Sequence, residues 1–571
     1  MLRERSTSVL GAIVWFGIAL LASVASAQQS ACGTKYAVAS GHPAATAAGL
    51  NVLRSGGNVV DAAIAASLAL GVAEPYGSGL GGKLILLYRD GASGEITSLV
   101  ALCTAPAGLD SNAFANLHHA RRQVGYLAVG VPGLLAGLDE AHRRWGSTPW
   151  RELVEPAAEL AATGVELNDV MQGMFAAKAS SLRQDAEASS IYLRNDQAPP
   201  VGSRLVNADL ADSLRLIARE GSEAFYQGPI AERIVAAAQA AGSPLQLSDF
   251  AAYEPQVAEP LVVDFHGYRV ATCPPPLNGG TTVAAALAAL DRYPVGQDDA
   301  GKPAEAAYAD RLGRVLQCVY PRVHESIGDV PEAFASARDL SSPQAAQEIA
   351  QLAAALDPRS PYPEAQAADV EAEADALPAA STTHLVVVDA AGNMVSLTQS
   401  LSLHFGAAVV PPETGILLND SLSNFSTHDP AAINSAAGGK RARSTIAPVI
   451  VTQDGKPFLA LGIPGGQRIP TTTLQLLSRV LERGQPLDKA FAASRYHLQR
   501  PLNAKQPPNV VDYEDDAEPA WVAAMEQHGW RMKPRKRNGH YFGGGNAAQY
   551  LPNGQLLGVA DPRRTNFAAA E

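Results

Sequence analysis

Apolar positions recur along this chain in two patterns, one helical and one extended, and their succession divides it into elements. From Ala37 to Pro75 alanine, leucine and valine return at helical spacing. Pro43 suits a first helical turn, and Ser55-Gly56-Gly57-Asn58 supplies a stop and then a cap, so two helices are predicted. The second, Asp61 to Leu70, is apolar on every side, which requires burial between layers. A glycine-rich run, Gly77-Ser78-Gly79-Leu80-Gly81-Gly82-Lys83, leads into a strand at Leu84 to Tyr88. Helices and turns are expected from Gly125 to Gln256, with an amphipathic stretch at Pro229 to Ala241.

Strand-like segments follow at Leu261–Phe265 and Tyr268–Thr272, then Pro274-Pro275-Pro276-Leu277-Asn278-Gly279-Gly280 as a rigid turn before another Ala- and Leu-rich helix. Between Gln344 and Ala380 the chain is rich in Ala, Glu, Asp and Pro, and Pro361 to Ala380 has almost no large apolar residue. Such a segment cannot bury enough surface to order itself, so residues 344–381 are expected to form a mobile connector. After His384 the pattern turns to β, with Leu385–Asp389, a turn at Ala391-Gly392-Asn393, and Val395–Leu403. In that second strand the period of two puts Ser396, Thr398, Ser400 and Ser402 on one face and Val395, Leu397, Gln399, Leu401 and Leu403 on the other. Pro448–Thr452 and Phe458–Leu461 read as further strands, the latter running into Gly462-Ile463-Pro464-Gly465-Gly466. A paired glycine there lets backbone N–H groups face a ligand without a Cβ in the way.

Composition adds compartment and excludes several classes. The 571 residues, 47% hydrophobic and 18% charged, can build a large core, and length alone suggests about four domains. Met1-Leu2-Arg3-Glu4-Arg5, an apolar run from Val9 to Val24 and Ala25-Ser26-Ala27 together describe a secretory signal peptide over 1–27, which predicts a periplasmic or secreted protein. Its removal takes away two positive charges and one negative, moving the formal charge from −12 to about −13. An acidic exported chain is a poor partner for nucleic acid or anionic membrane, and no membrane span is expected once the signal is gone. The cluster Arg531-Met532-Lys533-Pro534-Arg535-Lys536-Arg537 reads as a solvated loop, and His118-His119 as a solvated turn. Cys32, Cys103, Cys273 and Cys318 have three possible disulfide pairings in that compartment, and their spacing resembles no zinc site. The glycine run formally matches a dinucleotide fingerprint, but a helix precedes it, a strand follows it, and Leu84 stands where a phosphate loop needs Ser or Thr. No cofactor or metal is called for.

Candidate chemistry collects at Ala379-Ala380-Ser381-Thr382-Thr383-His384. An acidic, alanine-rich segment stops there and a buried-looking strand begins with hydroxyl residues, the pattern expected if the chain is cut and Thr382 becomes a new N-terminus. A threonine hydroxyl is a weak nucleophile, but the freed α-amine beside it, with a reference pKa of about 7.7–8.0, is a suitable base near neutral pH.

Several motifs together resemble the γ-glutamyltranspeptidase family of N-terminal-nucleophile hydrolases. They are Gly56-Gly57-Asn58 with Asp61-Ala62-Ala63, Thr104-Ala105-Pro106, Gly130-Val131-Pro132-Gly133, Ala224-Phe225-Tyr226, Pro274-Pro275-Pro276, Thr382-Thr383-His384, Gly415-Ile416-Leu417-Leu418-Asn419, Pro464-Gly465-Gly466 and Asp561-Pro562-Arg563-Arg564. The resemblance implies an α+β fold, a four-layer αββα sandwich, made from one precursor that cleaves itself into a large subunit, 28–381, and a small catalytic subunit, 382–571. It implies that Thr382 forms an acyl-enzyme from a small-molecule or peptide amide. Ser400 then stands where the family has a second threonine bonded to the nucleophile, and Gly465 and Gly466 match its oxyanion hole, where losing one donor costs about 2.7–4 kcal/mol.

The substrate pocket departs from the family. An arginine that grips the α-carboxylate of a γ-glutamyl group is replaced by Leu102, with Cys103 after it, and the positions that meet the α-amino group are Ser402, Ser421 and Asn424. The Ser-Ser pair that also holds the carboxylate persists as Ser444-Thr445. Losing a bidentate arginine and an aspartate counter-charge implies an altered acyl group. Arg443, directly before Ser444, is either a relocated anchor or a surface arginine of the run Lys440-Arg441-Ala442-Arg443. The segment between Phe425-Ser426 and Lys440 is shorter than in lidded family members, which implies an open site that favours hydrolysis over transfer. The alternatives are an ordinary γ-glutamyltransferase or glutathione hydrolase, and a non-catalytic secreted relative.

Overall fold

The computed structural model describes residues 29–295, 305–360, 381–500, 506–537 and 541–571. The expected signal peptide and the Pro361 to Ala380 half of the connector lie outside the described residues. Two seven-stranded antiparallel sheets form the centre. The first runs Phe567–Ala570, Tyr36–Ser40, Ser381–Asp389, Met394–Ser402, Lys83–Arg89, Ile96–Ala101, Gln256–Ala258. The second runs Ser30–Gly33, Leu556–Ala560, Asn546–Tyr550, Lys456–Gly462, Val449–Gln453, Tyr268–Thr272, Leu261–Phe265.

Both faces of the central strands are covered, which is why they read as continuous apolar runs. Val386, Val388, Ala37, Ala39 and Met394 of the first sheet meet Ile450, Ala460, Ala548 and Leu556 of the second. The alternate residues Leu385, Val387, Val395 and Leu397 face outward under the helices Pro43–Arg54 and Val59–Ala73. On the far side Asn278–Arg292 covers the second sheet, and Glu305–Ser326 packs against that helix. The result is the αββα sandwich.

Every residue of Val59–Ala73 except Gly71 is buried, as its lack of a polar face requires. Each of Ile64, Leu68 and Leu70 contributes about 1.5–3 kcal/mol by leaving water. A capping box between Asn58 and Asp61 starts this helix. Buried Asp61 also accepts from the amides and hydroxyls of Ser147 and Thr148, so the first motif ties the helix to a loop.

Four expectations change. Ala37–Ser40 is strand, because its backbone pairs with Leu385–Asp389 on one side and Phe567–Ala570 on the other, and this pairing overrides alanine's helical preference. The start of the expected connector is a helix, Pro343–Ala355, which buries Ala346, Ile349, Ala350 and Ala353. The basic cluster is largely a strand, Arg531–Arg535, parallel to Val510–Glu514, with Arg535 bonded to Asp512 at 2.8 Å. The four cysteines are free, Cys32 exposed and the other three buried; the Cys273 thiol, for one, donates to the Ile446 carbonyl at 3.2 Å. No described helix is long and apolar enough to cross a membrane.

Candidate active site

Thr382 enters the first sheet at an irregularity. Ser381 pairs with Ser402 and Thr383 with Gln399, so Ser400 and Leu401 together oppose Thr382. Such a bulge re-aims side chains that a regular ladder would fix. The nucleophile candidate is 3% exposed. Its Oγ1 lies 3.1 Å from Ser400 Oγ, which also accepts the Ser402 amide at 3.0 Å. Its carbonyl accepts from Arg564 Nη1 at 3.1 Å.

The row of hydroxyls faces the second sheet, not solvent. Ser396 donates to the Leu461 carbonyl at 3.1 Å, and Thr398 Oγ1 lies 2.8 Å from His384 Nδ1. Burial pushes the His384 imidazole down to about 3, so it is neutral at any physiological pH. A Cβ on Gly462 would run into that ring, so the neighbouring strand passes only as glycine.

Beyond Gly462 the chain reaches Gly465 (φ +138°) and Gly466 (φ +58°), whose carbonyls accept the Arg468 and Ile469 amides and start the helix Arg468–Leu477. Among the described residues neither glycine amide donates a hydrogen bond. Free N–H groups at a helix N-terminus suit a developing oxyanion. This loop connects to the nucleophile through its neighbours: Gly543 packs on Pro464 and Gly465, Gly544 on Arg564, and Arg564 holds Thr382.

Asn419 and the Asp561-Pro562-Arg563-Arg564 motif hold this frame. Asn419 accepts the Gly130 amide at 3.1 Å and the Ser421 amide at 3.0 Å, and donates to the Gly81 and Gly130 carbonyls at 2.8 Å, so it locks three loops. Arg563 is held by Glu514 at 2.5 and 2.6 Å and by Asp561 at 3.2 Å, while Asp561 also pairs with Arg495. Burial alone would raise the Asp561 carboxyl; Arg495 and Arg563 outweigh it and hold the group below its ordinary range.

The pocket candidates divide. Ser402 and Ser421 lie 3.2 Å apart, and exposed Asn424 donates to Ser402 at 3.3 Å. Leu102 is buried, as is Cys103, whose thiol contacts Ser421 and is pushed up by burial. Ser444 lies apart from this cluster in its bonding, its carbonyl accepting the Gly279 amide, and Gly279 packs on Thr445. Arg443 is neither surface arginine nor visible anchor: its guanidinium donates to the carbonyls of His324 (2.7 Å) and Ile327 (3.4 Å). The segment after Phe425 closes on itself through Ser426 and Ser435, with Lys440 donating to the Ile433 and Ser435 carbonyls. No described group of three or more His, Cys, Asp or Glu side chains is arranged to hold a metal.

Sequence position alone does not mark Arg564, Lys83 or Asp420 as residues of the site. Arg564 stands in the motif Asp561-Pro562-Arg563-Arg564, where nothing marks it off from Arg563. Lys83 ends the glycine run, and Asp420 follows Asn419; a charged residue opening an otherwise apolar strand was the available signal for Lys83.

The family model described as Gamma-glutamyltranspeptidase matches residues 45–571. The chain is 32% identical over 559 residues to Glutathione hydrolase 2 of Arabidopsis thaliana, covering 93% of each. It is 31% identical over 553 residues to the Acylase ACY 1 proenzyme of Pseudomonas sp. (strain V22), again covering 93% of each. The crystal structure of cephalosporin acylase from Bacillus halodurans superposes with a TM-score of 0.84 at 25% identity, covering 100% of this chain and 99% of that one.

Proposed function

We propose that this chain, which belongs to the γ-glutamyltranspeptidase family, is an exported, self-processing threonine amidohydrolase whose acyl specificity has moved away from γ-glutamyl. The observation that carries the reading is the Thr382 hydroxyl, 3.1 Å from Ser400 Oγ at a bulge in a central strand, with its carbonyl held by Arg564. Cutting before Thr382 turns its amide nitrogen into an amine that serves as base for the hydroxyl beside it. The hydroxyl attacks an amide carbonyl, Gly465 and Gly466 N–H groups receive the oxyanion, the amine leaves, and water releases the acyl group. Relatives named proenzymes support processing. The signal-like N-terminus supports export.

A second reading, glutathione hydrolase, is favoured by the name of the Arabidopsis relative. Against it stand Leu102, Ser402, Ser421 and Asn424, which offer a γ-glutamyl zwitterion neither the arginine nor the aspartate it needs. Purified wild type and Thr382→Ala decide the matter on denaturing gels and on a panel of anilides. The expected result is two bands and turnover for wild type, one band and no turnover for the variant. An uncut wild type, or a Thr382→Ala protein that still turns over, would overturn the threonine mechanism; preferred turnover of the γ-glutamyl anilide would select the second reading.

A further inference from the structure

Lys83 is directly opposite Ser400 in the sheet, and paired residues of adjacent strands share a face. Its side chain is 2% exposed, and its Nζ donates to Ser402 Oγ at 2.6 Å and Ser421 Oγ at 3.3 Å. The route from this ammonium to the nucleophile is short: Ser402 donates its amide to Ser400 Oγ, which touches Thr382 Oγ1. In the other direction Ser402 is half-buried and meets exposed Asn424, so the hydroxyl that holds Lys83 lies between the ammonium and solvent.

An isolated buried charge costs several kcal/mol unless a partner of opposite sign completes it. Among the described residues no carboxylate lies within ion-pair distance of Lys83. Burial lowers the Lys83 pKa, while Cys103 and then Asp420 favour its protonated form; the Asp420 carboxylate itself accepts from the Leu403 amide and the Ser423 hydroxyl, and a second cation, Lys178, also acts on it. Two hydroxyls satisfy two of the three ammonium protons. With Leu102 and Cys103 alongside, a protonated Lys83 is a charge with no carboxylate in ion-pair contact among the described residues.

Resting on the proposed amidohydrolase reading, we propose that Lys83 selects the acyl group, drawing in one that ends in a carboxylate and turning away one that carries an ammonium. The Lys83 ammonium occupies Ser402 and Ser421, leaving no acceptor there for a substrate amine. A carboxylate reaching Ser402 would complete the unpaired charge. The preferred acyl group is therefore a short aliphatic chain with a terminal carboxylate and no α-amine.

The test compares three anilides on the processed enzyme: glutaryl, γ-glutamyl (the same chain with an α-amine) and butyryl (the same region without charge). Wild type should show kcat/KM for glutaryl at least tenfold above both others. In Lys83→Met the glutaryl-to-butyryl ratio should fall at least tenfold, chiefly through KM, and Lys83→Arg should restore part of it. A wild-type ratio near one, or a Lys83→Met protein with an unchanged ratio, overturns the proposal. Calorimetric titration with glutarate, butyrate and glutamate reads the same charge without turnover: wild type should bind glutarate at least tenfold more tightly than the others, and equal binding overturns the proposal. If wild type turns over no amide yet binds glutarate selectively, the amidohydrolase reading fails and the role of Lys83 stands.

Discussion

Asp420 is fully buried behind the pocket, and burial, outweighing its hydrogen bonds and the two nearby lysines, pushes its carboxyl up to about 6. Its folded pKa lies above the unfolded value of about 3.9, so the protonated acid favours the fold. The stability this gives is fully present below the unfolded pKa and is lost as pH rises through about 6. The loss amounts to about 2–3 kcal/mol. Asp420→Asn should abolish it: the urea stability of the variant relative to wild type should grow by that amount between pH 4 and pH 7, and a pH-independent difference would count against the assignment. The candidate Thr382 is marked in the sequence by a compositional break and the hydroxyl row of its neighbouring strand by a two-residue period, both local signals, whereas Ser400 within that row is marked only by the family resemblance. Asp420 carries no local signal and Lys83 only that of a charge opening an apolar strand, since what gives them a role is contact with Ser402, Ser421 and Leu403, brought together by strand pairing between distant segments. Arg443 misled for the same reason: position beside Ser444 says nothing about a side chain that turns to His324 and Ile327.

At the scale of elements, a strand buried on both faces was read correctly from its apolar run at Leu84 to Tyr88, within Lys83–Arg89, and so was Leu261–Phe265, whose residues alternate between buried and exposed. Ala37–Ser40 failed because alanine carries a helical preference and no strand signal; only pairing on both edges makes it a strand. Loops near the nucleophile depend less on their own residues than on Asn419, which spans the glycine run, Gly130 and Ser421. Asn419→Ala leaves buried backbone groups unpaired and should cost about 2–4 kcal/mol. Asn58→Ala, which removes one helix cap, should cost about 1 kcal/mol. Denaturant unfolding of the two variants side by side measures the contrast, and equal losses would mean that Asn419 only caps its own turn.

Across the whole molecule, each large sheet mixes strands from both sides of the Thr382 position: the first has, among seven, the strand that holds Thr382 and two from after it, and the second has four from after it. A length-based count of separate domains fails because strands distant in sequence lie side by side. If the chain is cut before Thr382, the two pieces share both cores and cannot part without unfolding. Native gel filtration of the processed protein should therefore give one peak holding both pieces, and its urea midpoint should rise with protein concentration, whereas the midpoint of the uncut Thr382→Ala chain should not. Two peaks under native conditions would contradict the shared-core account. The Arg564 contact has a further consequence for order. Chain ends ordinarily fray, yet the guanidinium grips the carbonyl of Thr382, on the side of the residue that a cut leaves intact, and Thr383 remains paired with Gln399. A terminus created there would stay still, giving a newly made amine the fixed position that loose chain ends lack.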